Sequence, residues 1–583
     1  MAAGQLRPRA SGVVAGAVLI AATAICGWAL PSRVFPAQLA QSVLGARLGE
    51  PFDYWNALGA MAALAVPCAL WLGSRREASR TLTALAYPAM GVLILALALT
   101  QSRGALGAAV IAAALWLAIV PLRLRSLAVL CLPALGVAPI ASWALSKDAF
   151  TGVLEPLSSR EAVAADFGVM VLVLRAGLLA AGLAIEALRA RRVPSLRLRR
   201  RTGGAVAALA FALALAGLVS LAVSERGLAG TVSDRVSEVT SESASTPSGA
   251  ARLGSASSSR SAYWRQAGQI FEERPLLGRG ANTFGLARLL YRKDGLTAQQ
   301  AHGFLAQTLA DLGLIGVVLA LALAAAWLAA AARATGLVSG RRRRRPEFND
   351  ERAALVAAAL SAVTFGLHST IDWTWFVPGT SIAALVAAGF VVGRGPLPAL
   401  GARPFVAAAA SEGPGGRLHG LVGAGPPDAG RAIAATAVVV TAALCAWSVW
   451  QPERADRATD RAYDLLDEGD FKGASEQVLR ARELDPYSPA PLFTTATVLA
   501  EAGRLPAAYG VLEKAVREHP RDPETWVRLA SFELDRLDLP ARAIETLGAA
   551  AVLDPRSPRI PFLVQRAQAT LAIPLPPAQI PGP

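Results

Sequence analysis

Long apolar runs recur along this 583-residue chain, and they restrict its fold more than any other feature. A run of about 18 or more apolar residues is long enough to cross a bilayer as a helix. In lipid the backbone must satisfy its own hydrogen bonds, so such runs span as helices or not at all. Spans are expected near residues 12–30, 54–73, 82–100, 104–121, 126–146, 164–187, 203–224, 304–332, 353–370, 376–393 and 431–450. The fold class is therefore all-α: a polytopic membrane helix bundle of about eleven spans. Length alone would suggest about four soluble domains at ~150 residues each. A chain that is 54% hydrophobic and only 17% charged overrules that expectation. The first run follows Arg7 and Arg9 like a signal peptide, but its length makes it a first span.

The formal charge of +15 would suit a nucleic-acid binder if the basic residues were clustered on one face. They are not. They sit in short loops between the apolar runs: Arg75, Arg76 and Arg80; Arg123 and Arg125; Arg189 to Arg201; the run Arg341 to Arg345; and Arg394, Arg403 and Arg417. With the N-terminus inside, each of these loops falls on the cytoplasmic side, as the positive-inside rule requires. Loops 31–53 and 147–161 then lie outside with two basic residues each. Cys26, Cys68, Cys131 and Cys445 all fall within spans as small apolar fillers, and suggest neither a disulfide framework nor a metal site. The chain is therefore expected to cross its membrane many times, with the N-terminus inside and the large loop and tail outside.

This frame divides the chain. Residues 1–224 form an N-terminal bundle of seven spans, and 225–303 a large external loop. Spans eight to ten occupy 304–393, 394–430 is a cytoplasmic linker, 431–450 is the last span, and 451–583 is an external tail ending in a Pro-rich stretch. Within the loop, Ser233 to Ser259 is rich in Ser, Gly and Thr and reads as flexible. Residues 260–303, with aromatics and glycine turns, read as ordered.

The tail repeats. Asp485-Pro486, His519-Pro520 and Asp554-Pro555 stand 34 and 35 residues apart. Ala474, Ala508 and Ala543 lie twelve residues before each proline, and Ala481, Ala515 and Ala550 five before. Small residues at fixed helical positions let paired helices pack closely. A period of about 34 closed by proline resembles tetratricopeptide repeats, modules that bind protein partners.

Residues suited to chemistry collect at the external membrane face. Arg103, in Ser102-Arg103-Gly104, stands where the third span gives way to the fourth. It can snorkel to headgroups or bind an anionic group at that depth. Arg260 and Trp264 open the ordered half of the loop, followed by Arg265 and by Pro275-Leu-Leu-Gly278-Arg279. Arginine offers a planar fork that matches phosphate. His302, in Ala301-His302-Gly303-Phe304, stands where the loop enters the eighth span, and a neutral imidazole there can accept a proton near pH 7. His368 and Asp372 are four apart and share a helix face if the helix continues. Trp373 and Trp375 read as an interfacial belt. Arg175 lies well inside the sixth span, where a cation is costly.

The order of these features resembles the O-antigen ligase / Wzy polymerase superfamily of bacterial membrane glycosyltransferases, over about residues 54–393. The specific part runs from Arg260 and Trp264 through Pro275-Leu-Leu-Gly278 and Phe284 to Ala301-His302, Gln307, Asp311 and Gly313-Leu-Ile-Gly316. The resemblance implies transfer or polymerisation of glycan from a polyprenyl diphosphate-linked donor, with no metal and no other cofactor. The acceptor would be a glycan, lipid or protein hydroxyl. It implies His302 as the catalytic base, with Arg103 and Arg260, and more weakly Arg265 and Arg279, on the diphosphate. Arg175, His368 and Asp372 remain additional site residues. Expected partners are the donor, the acceptor, membrane lipids and a protein bound by the repeats, with no nucleic acid. Where the family places Asn, Ser or Gln after the histidine, this chain has Gly303. The competing readings are a glycan transporter, to which Arg175 points, and a non-catalytic scaffold displaying repeats.

Overall fold

A computed structural model describes residues 10–40, 47–76, 78–152, 154–191, 260–293, 298–338, 348–395 and 429–572. Every regular element among them is helical. They fall into two compact units, residues 2–281 with 300–425, and residues 282–299 with 426–583.

The first unit is the membrane bundle. Its main helices are α1 (Ala10–Ala29), α2 (Trp55–Ser74), α3 (Ala86–Thr100), α4 (Arg103–Ile119), α5 (Arg123–Leu145), α6 (Leu157–Arg191), α7 (Arg260–Glu273), α8 (Phe304–Ala334), α9 (Asp350–Ser369) and α10 (Pro378–Arg394). Among the described residues seven helices are long and apolar enough to cross a membrane, and α4 and α10 are shorter apolar helices. At ~1.5 Å per residue these two reach about 25 Å, near the lower limit for a span. The expected span at 203–224, the Ser/Gly/Thr-rich stretch 233–259, the five-arginine run and most of the 394–430 linker lie outside the described residues.

Burial ranks the helices. The apolar window of α2 is 94% buried, whereas that of α8 is 6% buried, so α2 is the hub and α8 faces outward. Glycines let neighbours approach the hub: a Cβ on Gly59 would stand 2.8 Å from Ala105 Cβ of α4, and one on Gly73 2.3 Å from Val129 Cγ2 of α5. Without a hydrophobic drive between helices in lipid, such close backbone packing supplies much of the association. Cys26 and Cys68 are buried fillers, as expected, while Cys131 and Cys445 are exposed.

α8 and α9 are tied at their adjoining ends. The Arg352 guanidinium donates to the Thr335 and Gly336 carbonyls at 2.8 and 3.1 Å, and Asn349 caps α9 by accepting from Arg352 N. Carbonyls at a helix C-terminus lack intrahelical partners, so this cation satisfies groups that would otherwise stay open.

The second unit is the repeat array: α11 (Ala429–Asp467), α12 (Phe471–Leu484), α13 (Ala490–Glu501), α14 (Leu505–Glu518), α15 (Pro523–Asp535), α16 (Pro540–Leu553) and α17 (Arg559–Ala572). All six periodic alanines are fully buried between paired helices. Asp485, His519 and Asp554 are the C-caps of α12, α14 and α16, so each proline follows a helix end it helps to stop. α11 joins the expected last span and the first repeat helix in one element. Its apolar half, with Val438, Val439 and Leu444 exposed, runs without a break into the first repeat helix, where Ala455, Ala458 and Ala462 are buried.

Candidate active site

Asp372 organises the polar end of the bundle. α9 stops at Ser369, and a 3₁₀ turn at Thr374–Phe376 leads into α10. His368 and Asp372 therefore do not share a helix face as continuous helix would require. Instead the turn folds Asp372 inward, where it is fully buried. The Tyr54 hydroxyl donates to Asp372 Oδ1 at 2.6 Å, and Asn56 Nδ2 donates to Oδ2 at 2.7 Å and to the Tyr54 oxygen at 2.9 Å. Trp373 N donates to Oδ1 at 2.9 Å, and Arg260 Nη2 to Oδ2 at 2.7 Å. Burial alone would raise this carboxyl's pKa. The facing His302 imidazole, Arg260, His368 and the Tyr54 hydroxyl outweigh burial and hold it well below the usual carboxylate range.

His302 stands over this carboxylate. Its Nδ1 is 3.9 Å from Asp372 Oδ2, and its ring is a quarter exposed. Aromatic rings fix the plane: Tyr263 stacks on it at 5.3 Å between centroids, and Trp373 meets it edge-on at 6.3 Å. Trp373 in turn stacks on Tyr54 at 4.4 Å, so this tryptophan belongs to the site rather than to an interfacial belt. Trp375 packs instead on Phe304.

Backbone geometry holds the histidine where the loop becomes α8. His302 has φ +51°, a left-handed conformation uncommon outside glycine, and strain of that kind gathers at functional sites. Trp264 Nε1 donates to the His302 carbonyl at 3.3 Å, and Ala301 N donates to Gln307 Oε1 at 2.7 Å. Gln307 Nε2 donates to Asp311 Oδ2 at 2.9 Å. Gly303 has a local cause. A Cβ there would lie 2.9 Å from Trp264 Nε1 and 3.0 Å from the Thr370 carbonyl.

Further along, α8 breaks at Gly313 (φ 62°, ψ −159°), and the Pro275–Gly280 segment fills the break. Leu314 N donates to Pro275 O at 2.8 Å, Arg279 N to Ala310 O at 3.0 Å and Gly280 N to Asp311 O at 2.8 Å. The Pro-Leu-Leu-Gly motif is thus a docking segment that ties the loop to the helix bearing His302.

The other expected residues spread around this centre. Arg103 opens α4 behind the Ser102 cap; beside it, a Cβ on Gly104 would meet Ile371 at 2.7 Å and His368 Nε2 at 3.5 Å. His368 is buried, with Nδ1 3.0 Å from Thr374 Oγ1. Arg265 is exposed on α7, and Arg279 pairs with Glu273. Arg175 is not brought to this centre. It borders a separate groove of about 780 Å³ with α1 residues such as Gly16 and Thr23. Sequence reasoning missed Tyr54, Asn56 and Tyr263, although a polar pair at the mouth of the second span was a signal for the first two. Among the described residues no group of His, Cys, Asp and Glu could hold a metal ion.

Residues 162–321 match the family model of the O-antigen ligase, and residues 489–532 match a tetratricopeptide repeat. The chain is thus similar to an O-antigen ligase over its middle part and to a tetratricopeptide repeat towards its C-terminal end. The ligase match begins in α6 and ends in α8, taking in Arg260 and His302, while Tyr54, Asn56 and Asp372 lie beyond it. No curated protein matches the chain. Among solved structures, the first tetratricopeptide repeat of Spaghetti (RPAP3) bound to the HSP90 peptide SRMEEVD is similar at 15% identity, covering 21% of this chain and 96% of that one, with a TM-score of 0.19. That match, within a bundle of helices long and apolar enough to cross a membrane, supports an O-antigen ligase-like, glycan-transferring membrane function.

Proposed function

We propose that this O-antigen ligase-like protein transfers glycan from a polyprenyl diphosphate-linked donor to an acceptor hydroxyl at the external membrane face, with His302 as the base. The observation that carries this reading is the placement of His302 Nδ1 3.9 Å from a buried Asp372 carboxylate that is itself paired with Arg260. A carboxylate facing Nδ1 favours the tautomer that leaves Nε2 unprotonated, and it stabilises the imidazolium once a proton arrives. The 3.9 Å separation is longer than a hydrogen bond, and catalytic contacts commonly tighten when substrate binds.

In the proposed step His302 Nε2 takes the acceptor's hydroxyl proton. The acceptor oxygen forms a bond to the anomeric carbon, and the bond from that carbon to the diphosphate oxygen breaks. The leaving diphosphate keeps the electron pair, and fixed cations placed to meet that growing charge lower the barrier. Arg260 is held by Asp372, and Arg103 stands beside Gly104 at the His368 corner, so these two are the leading diphosphate ligands. Arg265 and Arg279 would act at the periphery, the latter after leaving Glu273. The external placement rests on the basic loops, which the positive-inside rule assigns to the cytoplasm.

The test is complementation. Wild type, His302→Ala and Arg103→Ala would be expressed at equal membrane levels in a strain lacking the gene. Surface glycans and lipid-linked donor would then be analysed by gel and mass spectrometry. Transfer by wild type, and its loss in His302→Ala with donor accumulating, is the expected result. Unchanged glycans in His302→Ala would remove His302 as the base.

A further inference from the structure

Residues 282–293 and 298–299 lie between the docking segment and His302 in sequence, yet they belong to one compact unit with the repeats. The segment has structure of its own. It begins at Asn282 in a left-handed turn, and forms a short helix at Phe284–Ala287 and a 3₁₀ turn at Arg288–Leu290. Phe284 and Arg288 are fully buried. A Cβ on Gly285 would strike Gln299 at 2.3 Å from Oε1 and 3.0 Å from Cα, so the segment closes on itself.

Its hold on the repeats is a buried bidentate ion pair. Arg292 Nε donates to Asp554 Oδ1 at 3.0 Å, and Arg292 Nη2 to Oδ2 at 2.6 Å. The two side chains are only 3% and 9% exposed. Asp554 is the C-cap of α16, the position that Asp485 and His519 occupy in the earlier repeats. An ordinary repeat-closing residue has here become the anchor for a segment more than 250 residues away in sequence. Two-point recognition of a carboxylate by a guanidinium fixes orientation as well as distance.

We propose that the third repeat is an internal clamp on the loop that carries His302, with Arg292 and Asp554 as positioning residues for glycan transfer. Gln299, against which Gly285 packs, stands three residues before His302, so fixing the 282–293 segment limits the conformations open to the chain entering the histidine. The positioning half rests on the transferase reading given above; the clamp itself does not.

Hydrogen exchange on the purified full-length protein in lipid nanodiscs tests it, together with steady-state transfer by the same samples. The variants are Asp554→Asn, Arg292→Lys and the reversed pair Arg292→Asp with Asp554→Arg. Asp554→Asn should raise exchange in peptides from 282–293 by roughly tenfold or more, because the Arg292 charge is left uncompensated, and Arg292→Lys by less, because an ammonium cannot bridge both carboxylate oxygens, while α2 peptides stay protected. Transfer turnover should fall several-fold with the acceptor KM nearly unchanged, and the reversed pair should recover part of both. Unchanged exchange in both single variants overturns the clamp. Raised exchange with wild-type turnover overturns the positioning role. If wild type transfers no glycan, the transferase reading fails, and the exchange data still decide the clamp.

Discussion

Arg260 and Asp372 are joined by a 2.7 Å ion pair across 112 positions of sequence, and the carboxylate is completely buried. Removing one member of a buried pair leaves the other charge uncompensated, at a cost of about 3–5 kcal/mol. Tyr54, Asn56 and Trp373 N still donate to Asp372, so Arg260→Ala should lie near the lower end of that range. Thermal unfolding in detergent should show Arg260→Ala clearly destabilised. Arg260→Ala combined with Asp372→Asn should regain most of the lost Tm, because the orphan charge is gone, while transfer stays abolished. A double variant as unstable as Arg260→Ala would show that the loss comes from packing rather than charge.

The same carboxylate sets a pH signature. Its folded pKa lies below the unfolded value of about 3.9. A depressed carboxylate contributes stability that is present above the unfolded pKa and lost as pH falls through the folded one. The Tm gap between wild type and Asp372→Asn should therefore shrink as pH falls below about 4. A gap that stayed unchanged down to about pH 3 would mean that its partners do not hold the Asp372 carboxyl as an anion.

Gly303 follows from crowding. Trp264 and the Thr370 carbonyl leave no room for a Cβ, so Gly303→Ser should push the adjacent His302 out of register. Displacements of about 1 Å at a reacting group can cost a hundredfold in rate. A loss of about that size in transfer is expected, with normal membrane levels. Trp264→Phe removes the nearer obstacle and should restore part of the activity in the double variant. Full activity in Gly303→Ser alone would show that the loop yields freely at this point.

How much of this was readable beforehand depended on range. The spans and the repeats were legible because each is a local pattern: apolar runs in the one case, alanines at fixed offsets from Pro486, Pro520 and Pro555 in the other. His302 was legible as a lone imidazole in a motif at a membrane border. The partnership around Asp372 was not, because Tyr54, Asn56, Arg260 and His302 reach it from distant segments, and the helix that would have linked it to His368 ends at Ser369. Arg279 shows a second limit. Counting cations cannot reveal that Glu273, in the neighbouring turn, already pairs with one of them.

Two glycines meet backbone to backbone where the loop docks on α8, and each answers for the other. Gly278 has φ +66°, and a Cβ there would stand 2.4 Å from the Asp311 carbonyl carbon. Gly313 has φ +62°, and its added Cβ would stand 2.6 Å from the Leu276 carbonyl and 2.7 Å from Gly278 N. Both positions therefore forbid alanine twice, through conformation and through space. The outcomes should still differ. Gly313→Ala can escape by continuing α8 as regular helix, which closes the break and expels Pro275–Gly280. Gly278→Ala leaves the break in place and only blocks its occupant. Limited proteolysis in membranes should thus open the 274–280 segment in both variants. Hydrogen exchange across 310–315 should slow in Gly313→Ala and rise in Gly278→Ala, because only the first replaces the lost loop bonds with helical ones. Transfer should fall in both, since the docking of the 275–280 segment on the His302 helix is lost. Equal exchange at 310–315 in the two variants would mean that the break in α8 does not depend on Gly313.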